Sequence, residues 1–306
     1  MSKRSDRRKK AKSKKAPAQK QEQVKSISLE KNYRLLLILP IVLIIFAIAQ
    51  ISMQMATTGD FVLKGVSLSG GVSLTIDGDY GMHFRELESQ LMTQFPDEDI
   101  QVREISSAGF VQGFLIESTT DNASALSSVV QDVLGAPQEA ISVEIMGASL
   151  GEQFFRQTFT ALIVAFILMG IVVFIQFKHP MASFIVILSA FFDIVVTAAI
   201  INVLGIRLST AGVAAFLMLI GYSVDTDILL TNKVLKDKGT FTEKYKDALK
   251  TGLVMTATTL AAVAAAMIVT ESVVIQQILL IVFIGLIVDA ISTWMQNASL
   301  LRLVIK

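Results

Sequence analysis

Six long apolar segments dominate the pattern of hydrophobic and polar positions along this chain of 306 residues. A helix needs roughly 20 apolar residues to cross the hydrocarbon core of a bilayer, and all six segments reach that length. The pattern therefore predicts a polytopic α-helical membrane protein with six transmembrane helices. The predicted spans are residues 35–55, 157–177, 182–204, 211–232, 251–270 and 276–298.

The more polar interval between the first and second spans, residues 57–152, predicts a separate α+β domain. Strands are indicated by apolar residues at alternate positions, and helices by apolar residues three or four positions apart. The resulting β-α-β-β-α-β order is typical of a ferredoxin-like motif, a fold that hosts many unrelated functions. In chain order the predicted elements are a strand at 72–76, a helix at 82–95, strands at 100–106 and 110–118 joined around Ala108-Gly109, a helix from an N-cap at Asp121 or Asn122 to Leu134, and a strand at 140–147.

Positive charge is concentrated on one side of this predicted topology. Residues 1–34 carry thirteen Lys and Arg against three acids, and the loop at 233–250 carries six lysines. Residues 57–152 instead carry fifteen acids and only three Lys or Arg. Because cytoplasmic segments of membrane proteins are enriched in Lys and Arg, both termini, including residues 299–306, are predicted to be cytoplasmic. The domain between the first two spans is then external, on a multi-pass protein of the cell membrane.

Composition narrows the possible chemistry. The chain is 53% hydrophobic and 17% charged, whereas a soluble domain is about a quarter charged. It has no cysteine, and its two histidines, His83 and His179, are far apart in sequence, so we expect no metal site and no cofactor. The low-complexity basic segment at 1–34 predicts a disordered tail held near anionic lipid rather than a nucleic-acid-binding arm.

Four aspartates interrupt the apolar spans, where a central aspartate costs about 2.5–3.5 kcal/mol on insertion scales. Acids within membrane spans are functional candidates, most often as proton relays, and all four are candidates for that role. For the aspartate of the third span, a local hydrogen bond to Ser189 or Thr197 is the alternative. The four are Asp193 in the third span, Asp225 and Asp227 in the fourth, and Asp289 in the sixth.

Position separates the two aspartates of the stretch FLMLIGYSVDTDILL (216–230). Residues two apart on a helix point about 200° apart, so Asp225 and Asp227 cannot face the same interface between helices. Asp225 is the first candidate for a proton carrier, because no Lys or Arg lies deep in any span and a desolvated carboxylate without a cation favours its neutral form. Asp227 lies nearer the cytosol, where hydration or a pair with Lys233 is the alternative.

Small and hydroxylated residues accompany these acids. Gly221 lies one turn before Asp225, and the fifth span is dense in Ala, Thr and Gly. Thr256, Thr258 and Thr259 are candidates to offer hydroxyl groups to a neighbouring acid. Tight helix packing without such contacts is the alternative, since small residues let helices approach closely.

Several stretches of this sequence resemble motifs of a known family, the SecD/SecF proteins of the RND transporter superfamily. The resemblance is to the archaeal SecF branch of that family. The sequence KGVSLSGGVSL is similar to the G-x-D-F-x-G-G signature at the start of the external domain, with Gly65, Gly70 and Gly71 on its glycines. These glycines favour a tight turn or close backbone approach at the first strand. The other matching stretches are ASLGEQFFRQTFTAL (148–162), AFFDIVVT (190–197), GYSVDTDILL (221–230) and TATTLAAV (256–263).

The resemblance implies a subunit that pairs with SecD beside a SecYEG-type translocon and promotes export of unfolded secreted polypeptides, driven by protons. The chain departs from the family pattern at three places. Ser67 occupies the aspartate position of the first signature, the fourth-span motif G-Y-S-x-N-D-T has Asp225-Thr226 in place of N-D, and Lys250 is the nearest cation to a missing fifth-span arginine. The bacterial proton pathway is therefore not expected to apply unchanged.

Other classes of function also use buried acids. Intramembrane aspartyl proteases carry a Y-D motif and a G-x-G-D motif on adjacent helices. This chain has neither motif, so we predict that it is not an enzyme. A half of an RND-type exporter of small molecules or lipids, working as a homodimer, is the alternative to a role in protein export. A third possibility is an assembly scaffold whose acids only mediate subunit packing.

Overall fold

The computed structural model describes residues 33–107 and 110–304. The predicted turn at Ala108-Gly109 lies outside the described residues. So does most of the basic tail, and with it the predicted contact between this tail and anionic lipid.

Among the described residues, six helical segments are long and apolar enough to cross a membrane, which agrees with the predicted polytopic fold. They are α1, α5, α6, α7, α8 and a sixth segment in which a π-helical stretch joins α9 to α10. The helices in chain order are α1 (Ile38–Thr58), α2 (Val66–Ser69), α3 (Phe84–Gln94), α4 (Ala123–Leu134), α5 (Ala148–Phe177), α6 (Pro180–Val203), α7 (Thr210–Lys236), α8 (Phe241–Val269), α9 (Val273–Ile291) and α10 (Ala298–Val304), with the π-helical stretch at Ser292–Asn297.

Two of these helices extend well beyond the predicted spans. The second spanning helix begins at Ala148 rather than at 157. It continues through Gly151, where a Cβ atom would lie 2.6 Å from the backbone nitrogen of Gly70, so this first part of the helix packs closely against the start of the sheet domain. The fifth begins at Phe241 rather than at 251, where Thr240 and Glu243 form a capping box that satisfies backbone N–H groups of the first turn. Much of the lysine-rich loop predicted at 233–250 is therefore helical.

The spanning helices differ in how deeply they are buried. More than half of the apolar window of α6 and of α7 is buried, whereas α1, α5 and α8 are mostly exposed to the surroundings of the chain. The helix pair α6 and α7, closed by the sixth span, therefore forms the centre of the membrane half. Polar side chains on the inner faces of α6 and α7 are therefore buried within the chain.

The domain between α1 and α5 contains a four-stranded antiparallel sheet in the order β2-β3-β1-β4. Its apolar core packs α3 and α4 against one face of the sheet. Asn122 is the N-cap of α4, and Gly135 ends that helix in the left-handed conformation. The four strands and the helices α3 and α4 follow one another in the order β-α-β-β-α-β. The strands are β1 (Gly71–Asp77), β2 (Ile100–Ser107), β3 (Phe110–Ser118) and β4 (Ile141–Met146).

Two polar contacts fix this sheet domain onto the loop between α6 and α7. The carboxylate of Asp99 lies 2.7 Å from the guanidinium of Arg207, whose side chain is nearly buried. The side-chain amide of Gln101 donates a hydrogen bond of 2.8 Å to the backbone oxygen of Gly205. The edge strand β2 therefore faces the ends of the central helices.

Close backbone approach explains the two adjacent glycines of the first signature. A Cβ atom on Gly70 would lie 2.5 Å from the Cα atom of Ala148, at the start of α5. One on Gly71 would lie 2.2 Å from the backbone oxygen of Ser118, and the φ angle of Gly71 is +122°. Only glycine fits both positions without a shift of the backbone. The structure thus confirms the close approach that was predicted for this pair.

Ser67, at the aspartate position of the signature, has an identifiable role. Its hydroxyl oxygen accepts a hydrogen bond of 3.1 Å from the backbone N–H of Thr210, the first residue of α7. Backbone N–H groups in the first turn of a helix lack partners within the helix, so this contact stabilises the start of α7. The segment before the sheet domain is thereby attached to the central helix of the membrane half.

Candidate functional site

Three of the four membrane aspartates meet in the centre of the helix bundle. Asp193 on α6 is 1% exposed, and Asp227 on α7 and Asp289 on α9 are fully buried. Each comes from a different spanning helix, so the cluster forms only when the three helices pack together. We call these three residues and their hydrogen-bond partners the carboxylate cluster.

Three different side chains donate hydrogen bonds to Asp227 in the carboxylate cluster. Its Oδ1 atom accepts from the hydroxyl of Ser189 at 3.3 Å, from the hydroxyl of Thr293 at 3.0 Å and from the side-chain amide of Asn297. The alternative of a pair with Lys233 is wrong, because that ammonium group lies 3.2 Å from Asp237 instead. Hydration from the cytosol is also excluded by the complete burial of Asp227.

Asp193 has its partner on a neighbouring helix. The hydroxyl of Ser223 on α7 donates a hydrogen bond of 2.5 Å to its Oδ2 atom. The alternative of a local hydrogen bond is therefore wrong: Ser189 donates to Asp227, and the hydroxyl of Thr197 has no hydrogen-bond partner within the described part of the chain. Asp193 thus ties α6 to α7.

Asp289 connects the other two acids. Its two carboxylate oxygens lie 3.1 and 3.2 Å from the hydroxyl of Thr226, and one lies 3.2 Å from the hydroxyl of Thr293. The side chain of Asp193 also interacts directly with that of Asp289. Because Thr293 contacts both Asp289 and Asp227, a continuous chain of polar contacts links all three acids.

The π-helical stretch positions two members of the carboxylate cluster. A π-helical turn contains more residues than an α-helical turn, and such stretches are frequent at functional sites. Thr293 and Asn297 both belong to this stretch and both point to Asp227. Its Trp294 fills the space beside Gly252 on α8, where a Cβ atom would lie 2.1 Å from the indole ring.

No Lys or Arg pairs with the three acids among the residues that the structure describes. Hydroxyl and amide groups are the donors instead. Several buried carboxylates at close range cannot all carry charge without a cation, because desolvation and mutual repulsion both oppose ionisation. Asp193 Oδ1 and Asp227 Oδ2 accept no hydrogen bond in the described chain, so either oxygen can carry a proton without losing such a bond. The arrangement is chemically suited to binding protons and passing them on.

Asp225, the first candidate from the sequence, lies outside the carboxylate cluster. It is exposed on the surface of α7, in one stripe with Ala214, Met218 and Gly221. A Cβ atom on Gly221 would meet no other atom within 4 Å. The prediction that Asp225 and Asp227 face different directions is confirmed. The role of Asp225 as a proton carrier stays a prediction.

The threonines of the fifth span do not contact any of these acids in the structure. Thr258 donates to backbone oxygens of its own helix, and Thr259 lies 3.0 Å from the hydroxyl of Tyr222. The hydroxyl of Thr256 is buried without a partner among the described residues. The contacts favour the packing alternative for this span.

Sequence reasoning missed the hydroxyl and amide groups of the carboxylate cluster. One signal was present in the sixth span: Asp289, Thr293 and Asn297 are spaced four residues apart, as on one face of a helix. Ser223 and Thr226 carried no comparable signal, because single hydroxyl groups are common in membrane helices. The missed residues are Ser223, Thr226, Thr293 and Asn297. Ser189 was a candidate, but as a partner of Asp193 rather than of Asp227.

Comparisons with known proteins agree on one family. The family model for the protein-export membrane protein SecD/SecF, C-terminal, matches residues 126–306. The chain is 37% identical over 271 residues to the protein-export membrane protein SecF of Methanolacinia petrolearia, covering 88% of this chain and 92% of the relative. It is 35% identical over 277 residues to SecF of Pyrococcus furiosus, covering 90% and 92%.

A solved structure has a similar fold. The crystal structure of SecDF, a translocon-associated membrane protein from Thermus thermophilus, matches with a TM-score of 0.73 and 18% sequence identity. The match covers 89% of this chain but only 38% of the SecDF chain. The present chain therefore corresponds to less than half of that longer protein.

Proposed function

Because the chain belongs to the SecD/SecF family of protein-export membrane proteins, we propose that it is an auxiliary subunit of the Sec protein translocase. In this role it promotes the export of unfolded secreted polypeptides across the cytoplasmic membrane, beside a SecYEG-type channel. The observation that carries the proposal is the sequence similarity of the chain to SecF proteins along nearly the whole of their length.

The distribution of charge supports a definite orientation. The lysine-rich segment between α7 and α8 would lie in the cytoplasm, together with both termini. The acidic sheet domain, which we propose to be a ferredoxin-like domain, would then lie outside the membrane, where exported polypeptides emerge. Its net negative charge favours weak, salt-sensitive contact with basic segments of those polypeptides.

The energy source that we propose is the proton motive force, acting through the carboxylate cluster. The three acids are excluded from solvent and have no cationic partner in the described chain, so a change in helix packing that admits water would change their proton occupancy. Proton movement is then coupled to movement of the protein if protonation of the cluster favours one packing of the central helices and deprotonation favours another.

Cells depleted of this protein should export secreted proteins more slowly. The rate of maturation or release of a labelled secreted protein measures the effect, and re-expression of the wild-type chain is the control. If export kept its full rate while efflux of apolar small molecules or lipids fell, the result would contradict a role in export. It would favour instead the exporter half that the sequence left open.

We also propose that the partner is SecD and that it packs along the exposed stripe of α7. The small residues Ala214 and Gly221 allow a second helix to approach closely. Asp225 lies on the same stripe, within a membrane span, where contact with lipid alone would be unfavourable. A polar group of a partner helix would satisfy its carboxyl group.

Replacing Asp225 with leucine should therefore weaken the association with SecD. We expect about tenfold less SecD to co-purify after mild detergent extraction, because a polar contact between membrane helices is lost. Asp247→Leu is the matched control, since Asp247 is exposed near the start of α8 and off the stripe. Unchanged recovery of SecD with Asp225→Leu would show that this stripe is not the partner surface.

A further inference from the structure

A cavity of about 220 Å³ lies in the membrane half, away from the carboxylate cluster. Thirteen side chains line it, and all of them are apolar. An apolar cavity does not hold water stably, since water there lacks hydrogen-bond partners. The lining residues come from α1, the segment after α1, α5, α6, the loop between α6 and α7, and α7, among them Ile51, Phe61, Phe155, Phe191, Ala198 and Phe216.

Part of the lining of the cavity reaches the surface of the spanning helices. Helices α1 and α5 both pack against α6, and all three helices contribute side chains to the lining of the cavity. Phe191 on α6 is 51% exposed, and Phe159 on α5 is 37% exposed. Because these helices are membrane spans, this exposed part of the lining faces the hydrocarbon core of the bilayer.

One basic side chain lies at the rim of the cavity. The ammonium group of Lys64 lies 4.2 Å from the ring centroid of Phe155, which is part of the lining. A lysine ammonium has three donors, and Asp60 takes one of them at 2.6 Å. The remaining donors can bind an anionic group held above the cavity. The site thus combines an apolar chamber open to the bilayer with a cation at its edge.

We propose that this cavity binds one hydrocarbon chain of an anionic phospholipid, whose phosphate group contacts Lys64. A lipid chain fills the apolar space that water leaves unfilled, and it restores dispersion contacts for the surrounding side chains. The segment after α1 forms one wall of the cavity and leads into the sheet domain. A bound lipid would therefore stabilise the position of that connection.

The test uses the full chain in vesicles of equal parts phosphatidylglycerol and phosphatidylcholine. The protein is purified from them in mild detergent, and the lipid molecules that it retains are counted by native mass spectrometry. The wild type should keep one phosphatidylglycerol molecule. Ala198→Leu should lower its retention about tenfold, because the larger side chain displaces buried methylene groups of the lipid. Ala161→Leu is the matched control, since Ala161 is exposed on α5 and does not line the cavity.

Two further variants keep the proposal falsifiable. Val195→Phe places a larger side chain at a partly exposed position in the lining of the cavity. It replaces Ala198→Leu as the filling variant if Ala198→Leu does not fold. Lys64→Gln should remove the preference for phosphatidylglycerol over phosphatidylcholine while leaving a lipid bound. Equal retention by the wild type and both filling variants would overturn the site, and so would retention of an apolar peptide in place of lipid. An unchanged lipid preference in Lys64→Gln would overturn the assignment of the headgroup.

Discussion

Replacing Asp289 with asparagine is expected to abolish the part of protein export that depends on the proton gradient. Asparagine keeps the size and hydrogen-bonding capacity of the side chain but cannot take up and release a proton at ordinary pH. Asp289 interacts with Asp193 and shares Thr293 with Asp227, so its loss interrupts the chain of contacts in the middle. A positioned proton-transfer group typically contributes a factor of a hundred or more, so proton flux should fall about a hundredfold.

The measurement is proton uptake in proteoliposomes that contain the protein with SecD, read by a pH-sensitive dye trapped inside. Export of a secreted protein is followed in parallel in cells that carry the same variant. Asp247→Asn makes the same chemical change at an exposed position outside the carboxylate cluster and should leave both rates unchanged. Normal gradient-dependent export in a well-expressed Asp289→Asn variant would exclude Asp289 from the relay.

Replacing Thr293 with valine should have the second-largest effect. Valine has nearly the same shape as threonine but lacks the hydroxyl group that lies 3.0 Å from Asp227 and 3.2 Å from Asp289. Without it, the polar contacts from Asp289 to Asp227 are broken although both acids remain. The free energy that a buried hydrogen bond to a charged group contributes corresponds to about a factor of ten. We therefore expect proton flux to drop about tenfold.

Thr293→Ser distinguishes this role from simple packing. Serine restores the hydroxyl group but not the methyl group, so it should recover most of the proton flux if the hydroxyl is what matters. Recovery should be absent if the methyl group only fills space in the bundle. Equal loss of flux in the valine and serine variants would therefore contradict a bridging role for Thr293.

Much of the architecture was predictable because its signals are local. Apolar runs of sufficient length identified all six spans, and alternating or helical periodicity identified the four strands and the helices α3 and α4 of the sheet domain, but not the short helix α2. The early start of α8 was readable as well, since Thr240 and Glu243 have the spacing of a capping box. What failed at the span ends was the assumption that a helix stops where its apolar residues stop.

The composition of the site was only partly predictable. The cost of an acid in a membrane span singled out all four aspartates, and three of them meet. Which of Asp225 and Asp227 faces inward depends on how α7 is rotated against α6 and α9, and a single sequence carries little information about that rotation. The π-helical stretch that turns Thr293 and Asn297 toward Asp227 depends on packing between helices, such as that of Trp294 against Gly252.

The central claim is that acids buried in the membrane half bind and release protons as the protein works. Infrared difference spectroscopy of the complex with SecD in oriented membranes measures this directly, because protonated carboxyl groups absorb apart from carboxylates. On a change of pH, the wild type should show a protonated carboxyl band that shifts in heavy water and loses intensity in Asp289→Asn. The absence of any such band at every pH, with all three acids permanently ionised and hydrated, would contradict the account.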